Sequence, residues 1–147
     1  MIPQFDKDTG YLPPGVHSLT WAAFAQRFGW NDWRVRLCAG LLRALRNLKA
    51  AGCLVVIVDG SFVSAKDEPG DYDAAFDPTG VDGAKVDPIL LRHWDGRKAM
   101  KAKYLGETFP WGAIAERKSG VIFLEFFQKD RSGLAKGVVQ IDLRTLP

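Results

Sequence analysis

A chain of 147 residues is long enough for one domain with a genuine core, and 47% hydrophobic against 25% charged residues is ordinary for a soluble globular protein. A formal net charge of +3 suits phosphate-bearing ligands but is too small to argue for nucleic-acid binding, and no apolar stretch approaches the ~18 residues a membrane span requires. Two cysteines without metal-like spacing, Cys38 and Cys53, read as reduced core thiols, and the start Met1-Ile2-Pro3-Gln4-Phe5-Asp6 lacks the basic and apolar regions of a secretion signal, so the expected location is cytoplasmic.

Residues 1–17 contain Pro3, Gly10, Pro13, Pro14 and Gly15 and predict irregular structure, while Phe5, Tyr11 and Leu12 predict an arm packed on the domain. Ser18 then caps a short helix over 19–28. Asn31 or Asp32 caps a longer helix to about Ala51, with Leu37, Leu41, Leu45 and Leu48 forming one apolar stripe and Arg36, Arg43 and Arg46 elsewhere on its surface. Gly52 terminates it.

Cys53-Leu54-Val55-Val56-Ile57-Val58 is a short β-branched run of the kind buried on both faces of a sheet, and it leads through Asp59 into the turn Gly60-Ser61. Backbone donors in such a turn suit phosphate oxygens, and Lys66 in the following connector either reaches a phosphate or is solvated. Asp71-Tyr72-Asp73 opens a strand over 71–76 whose two carboxylates share one face. Two such charges about 4 Å apart repel by roughly 4 kcal/mol at an effective dielectric near 20, which a hard cation such as Mg²⁺ would relieve. The alternative is an exposed strand with two solvated aspartates.

Asp87-Pro88 starts a helix to about Tyr104, with Leu90, Leu91 and Trp94 as core and Arg92, Arg97, Lys98, Lys101 and Lys103 on a solvated or phosphate-binding face. Residues 105–120, centred on Phe109-Pro110-Trp111-Gly112, read as loop or a short helix. Val121 to Phe127 reads as a strand embedding Glu125, which must be metal-bound, hydrogen-bonded or protonated there. The last strand, Gly137 to Leu143, turns Val139, Ile141 and Leu143 inward, with Arg131 and Lys136 placed on the surface.

A hydrophobic strand ending in Gly60-Ser61, then Asp71-Tyr72-Asp73, then Glu125 on a later hydrophobic strand resembles the nucleotidyltransferase superfamily, the fold of DNA polymerase beta and the minimal nucleotidyltransferases. The likeness covers roughly residues 31–127; the opening and Phe126-Phe127-Gln128-x-Asp130-Arg131 also resemble an uncharacterised bacterial family of about this length. The resemblance implies a single α/β (more strictly α+β) domain over 1–147, with a mixed sheet and helices on one side. It implies transfer of a nucleoside monophosphate from an NTP to a hydroxyl of a protein or small molecule, within or outside a toxin–antitoxin pair. It assigns Asp71, Asp73 and Glu125 to two Mg²⁺ ions and to catalysis, and Gly60, Ser61 and Lys66 to the phosphates. Glu125 departs from the aspartate common at that position. The alternative is a non-catalytic protein of the same fold that binds a partner protein, as an antitoxin does. Nucleic acid and membrane partners are not expected.

Overall fold

A computed structural model describes residues 2–147; Met1, the first residue of the predicted arm, lies outside them. Five strands form the main sheet: β1 (Gly15–Leu19), β2 (Val55–Asp59), β3 (Tyr72–Phe76), β4 (Gly106–Pro110) and β7 (Gly137–Asp142), in the spatial order β1-β7-β2-β3-β4. The outer pairs, β1 with β7 and β3 with β4, are parallel; β7 with β2 and β2 with β3 are antiparallel. The sheet is therefore mixed and the class is α+β.

Alternation along the strands sorts the residues into two cores. Val56, Val58, Tyr72, Ala74, Phe76, Val139 and Ile141 face helices α1 (Trp21–Phe28), α2 (Asp32–Ala50) and α3 (Lys98–Tyr104) in the larger cluster. Ile57, Ala75, Phe109, Phe127 and Val138 form a smaller cluster on the opposite face, roofed by Trp111, Phe123 and Leu124. The leucine stripe of α2 is buried as its period predicts, each side chain contributing about 1.5–3 kcal/mol. Gly40 stands on the same helix where an added Cβ would run into the Tyr104 carbonyl, so a side chain there would push α3 off α2. Among the described residues no helix is long and apolar enough to cross a membrane.

Four expectations are corrected. Ser18 does not cap a helix: it lies in β1, which pairs in register with β7, and Thr20 is the cap, its hydroxyl accepting from the Ala23 amide at 3.2 Å. The remainder of the arm packs as expected, with Leu12 buried and the Phe5 ring 6.2 Å from that of Phe28. The helix from 88 to 104 is broken: Pro88–Leu91 is a 3-10 turn, and Gly96 and Arg97 adopt left-handed φ of 67° and 62° before α3 begins. Leu90 is core, but Leu91 and Trp94 are exposed at 39% and 77%. The segment over 92–97 instead wraps the outer edge of β4, where His93 Nε2 meets the Thr108 carbonyl at 2.9 Å and its ring stacks on Phe109.

The 105–120 region is not a loop, since Gly106–Pro110 forms β4 and Ile114–Glu116 forms β5, which pairs with β6 (Val121–Ile122). Nor is Val121 to Phe127 one strand. After β6 the chain turns into the short helix α4 (Phe123–Phe126), because Phe123, Phe126 and Phe127 recur at helical spacing and the Phe123 ring stacks 4.1 Å from Phe109.

Candidate active site

The β-branched run of β2 drives the chain through the centre of the sheet, and its alternation decides where Asp59 goes. Val56 and Val58 take the helix side, so Ile57 and Asp59 must take the other. Register then does the rest. Asp59 pairs across the antiparallel ladder with Asp73, and Asp73 pairs across the parallel ladder with Glu107 on β4. Three adjacent strands thus each present one carboxylate in a single row, with strands about 4.8 Å apart. Asp71 stands just before β3 and completes the group.

Like charges directly opposite one another on a sheet destabilise it. Most of this row is neutralised from within the chain. Lys136 Nζ lies 3.2 Å from Asp59 Oδ1, Lys101 Nζ lies 2.9 Å from Glu107 Oε1 and 3.9 Å from Asp71 Oδ2, and Arg97 Nε lies 2.8 Å from Glu107 Oε2. Lys136 is thereby half-buried in the site rather than on the surface as expected. Asp73 alone has no ion pair or hydrogen bond among the described residues. Burial, reinforced by the charges of Asp71, Glu107 and Asp59, pushes its carboxyl up to about 7. Asp59 and Asp71 are raised as well, burial being the leading cause for both. Asp59 Oδ1 is buried and accepts no hydrogen bond despite the nearby ammonium.

Gly60 is required beside this group. Its φ is +86°, and an added Cβ would stand 2.8 Å from Asp73 Oδ2. Gly60→Ala should cost about 1–3 kcal/mol through strain and displace the Asp73 carboxylate. Urea unfolding would read the first effect and Mn²⁺ titration the second.

Ser61 opens a 3-10 turn, Ser61–Val63; its carbonyl accepts from Ser64 Oγ at 2.6 Å and its hydroxyl makes no hydrogen bond among the described residues. The connector that follows is fastened by a residue the sequence reading passed over. Arg34 of α2 is fully buried and donates to the carbonyls of Phe28, Ser61, Phe62, Ser64 and Lys66 at 2.6–3.3 Å, with its guanidinium 3.6 Å over the Trp30 ring. Burial lowers its pKa to about 10, so it stays charged at neutral pH. The signal was present: Arg34 precedes Leu37 by three residues and so lies on the buried stripe. Lys66 contributes only its carbonyl to this arrangement; its side chain is exposed.

Glu125 is not part of the group. It sits exposed on α4, whereas Glu107 on β4 stands directly across the ladder from Asp73 and is the third strand carboxylate of the row. Sequence reading missed Glu107 because Phe109-Pro110-Trp111-Gly112 suggested a loop; the alternation of Glu107 and Phe109 against Gly106 and Thr108 was the available sign. Between α2 and α3, an open cleft of about 360 Å³ reaches Asp71 and is lined by Arg36, Leu37, Gly70, Lys101 and Leu105.

The donor set fits a hard divalent ion. All ligands would be carboxylate oxygens, one carboxylate is unpartnered, and a glycine keeps the space beside it open. Among the described residues, no three His, Cys, Asp or Glu side chains already stand together as a metal site. Lys101, Arg97 and Lys136 instead pair with carboxylates of the row.

A family model described as a family of unknown function, DUF6932, matches residues 3–142, and the chain belongs to that family. No curated protein and no solved structure matches it.

Proposed function

We propose that this DUF6932 member is a Mg²⁺-dependent nucleotidyltransferase, moving a nucleoside monophosphate from an NTP to a hydroxyl of a protein or small-molecule acceptor. One observation carries the reading: the carboxylate row Asp59–Asp73–Glu107, with Asp71 beside it, lies against a Gly60-Ser61 turn that ends a buried strand. That is the order of elements in the nucleotidyltransferase superfamily, with Glu107 in place of Glu125 as the carboxylate of the later strand.

Asp71, Asp73 and Glu107 would hold the metal, and Asp59 is available from the adjoining strand. Bound Mg²⁺ would neutralise charge on the phosphate oxygens and on the attacking oxygen. The backbone of the Gly60-Ser61 turn and the Ser61 hydroxyl would orient the β and γ phosphates. The acceptor oxygen forms a bond to the α-phosphorus while the bond from that phosphorus to the bridging oxygen breaks. Pyrophosphate leaves with the electron pair, and the hydroxyl proton passes to a carboxylate of the row. Arg34 acts at a distance by fixing the loop that carries Ser61.

The rival reading is a non-catalytic protein of this fold that binds a partner protein, such as a toxin or antitoxin. It is favoured by the internal ion pairs, which already satisfy three of the four carboxylates. The two separate on Glu107→Gln and Glu125→Gln. The catalytic reading expects Glu107→Gln to weaken Mn²⁺-dependent nucleotide binding on the order of 10–100-fold, and Glu125→Gln to leave it unchanged. Calorimetric titration of ATP, GTP, CTP and UTP measures both. Failure of the unsubstituted protein to bind any of the four with metal would remove the enzyme reading.

A further inference from the structure

The four carboxylates Asp59, Asp71, Asp73 and Glu107 face three cations, Arg97, Lys101 and Lys136. Lys136 is half-buried against Asp59. The other two differ: Arg97 and Lys101 both come from the far side of Glu107, one at the N-cap of α3 and one inside it. Both are partly solvent-exposed, with side chains 35% and 45% accessible, and both converge on a carboxylate only 11% accessible. Lys101 also lines the open cleft beside Asp71, on whose opposite wall Arg36 makes no ion pair or hydrogen bond among the described residues.

The element that carries them packs on the core through Met100 and Tyr104 but is bounded by strained backbone at both ends. The seven residues of α3 run between two non-glycine residues in the left-handed region, Arg97 at φ 62° and Leu105 at φ 63°. Such conformations are strained for residues with a Cβ and persist only where neighbouring contacts fix them. The clamp of Arg97 and Lys101 on Glu107 is such a contact.

A divalent ion on Glu107 and Asp71 cannot coexist with two cations on the same oxygens, because like charges would then share ligands at contact distance. A nucleoside triphosphate arriving with the metal brings negative charge of its own to the mouth of the cleft. We propose that Arg97 and Lys101 are triphosphate-binding residues which, in the empty site, stand in for the metal on Glu107 and Asp71, and which move onto the phosphate oxygens when metal and nucleotide enter together. Metal alone must displace them without giving them a new partner, whereas metal with a triphosphate supplies one. Loading is therefore ordered by charge: the metal is held weakly until the nucleotide arrives. The inference rests on the nucleotidyltransferase reading of the site and assigns its phosphate partners.

The test titrates Mn²⁺ alone, and then α,β-methylene ATP in the presence of Mn²⁺, into the unsubstituted protein, Lys101→Met, the double variant Arg97→Met/Lys101→Met, and Lys103→Met. Removing the stand-in cations should tighten Mn²⁺ alone by about tenfold and weaken the nucleotide analogue by about tenfold. The two affinities thus move in opposite directions. Lys103, which pairs with Asp87 away from the row, should leave both within about twofold and so controls for net charge. The single Lys101→Met variant carries the test if the double variant unfolds. Mn²⁺ affinity that is unchanged or lower in Lys101→Met, with nucleotide affinity unaltered, overturns this inference and leaves the metal site standing. Absence of Mn²⁺ binding in every variant overturns the metal reading and this inference with it.

Discussion

Asp73→Asn will make the metal-free protein more stable at pH 8 while abolishing metal-dependent nucleotide binding. The folded protein holds the Asp73 proton up to about pH 7, against an ordinary value of 3.8. Between those values the native state binds a proton that the unfolded chain has released, so stability falls as pH rises, and above 7 the cost is complete. The interval corresponds to an upper bound of about 4 kcal/mol at 1.36 kcal/mol per unit, and partial solvent access reduces it to about 2. An asparagine cannot ionise, so the difference in unfolding free energy between Asp73→Asn and the unsubstituted protein should be near zero at pH 3 to 4 and grow to about 2 kcal/mol by pH 8. The two histidines, His17 and His93, are common to both proteins and cancel in the difference. Urea unfolding across that range reads it directly. A difference that does not grow with pH would mean that Asp73 is not under charge stress. Added Mg²⁺ at pH 8 should close the gap by stabilising the aspartate form alone.

Arg34→Met is expected to be the most destabilising single substitution in the chain, at about 3–5 kcal/mol. The thioether fills part of the space but donates nothing, leaving carbonyls of Phe28, Ser61, Phe62, Ser64 and Lys66 without a hydrogen bond that Arg34 now gives. Among the described residues no carboxylate pairs with the guanidinium; it is held by carbonyl dipoles and the Trp30 face, so both halves of the arrangement fail together. Arg34→Lys should recover little, because an ammonium offers three donors from one point where a planar fork serves partners on several sides. Thermal melting should fall by ten degrees or more, roughly what ΔΔG of this size produces in a domain of this length. A melting point within two degrees would show that water replaces the guanidinium. Since the fastened loop carries Ser61, any Arg34 variant that does fold should also show weakened nucleotide binding.

Local pattern made much of this architecture readable. The β2 run, the leucine stripe of α2 and the alternation of Val139, Ile141 and Leu143 are each dictated by one strong periodicity, and each forms where its pattern places it. Asp71 and Asp73 were legible because they abut a core strand. What was not legible depended on register. Local alternation marks Glu107 as strand-borne but does not rank it above Glu125; the pairing of Asp73 with Glu107 across two strands separates them. Arg34 was hidden for a related reason. Its helical phase said buried, yet nothing near it in the sequence announces four carbonyl partners in a loop some thirty residues away, with Phe28 as a fifth. The break at Gly96-Arg97 was overlooked because Asp87-Pro88 is a strong helix start and helix-forming residues resume at Lys98.

The strand order has a consequence for how the chain comes off the ribosome. The first strand of the sequence, β1, and the last, β7, are direct neighbours, and β7 also lies against β2. Until residues 137–142 emerge, β1 has no ladder partner, and β2, the most apolar strand, exposes an open edge. The sheet is thus finished at its middle rather than at its margin. Closure of so long a loop makes for slow folding, and the waiting β2 edge is a template for pairing with other nascent chains. Synthesis of this protein should accordingly depend on chaperones in the interval before residues 137–142 appear, a dependence that a ribosome-stalled series of chain lengths would time.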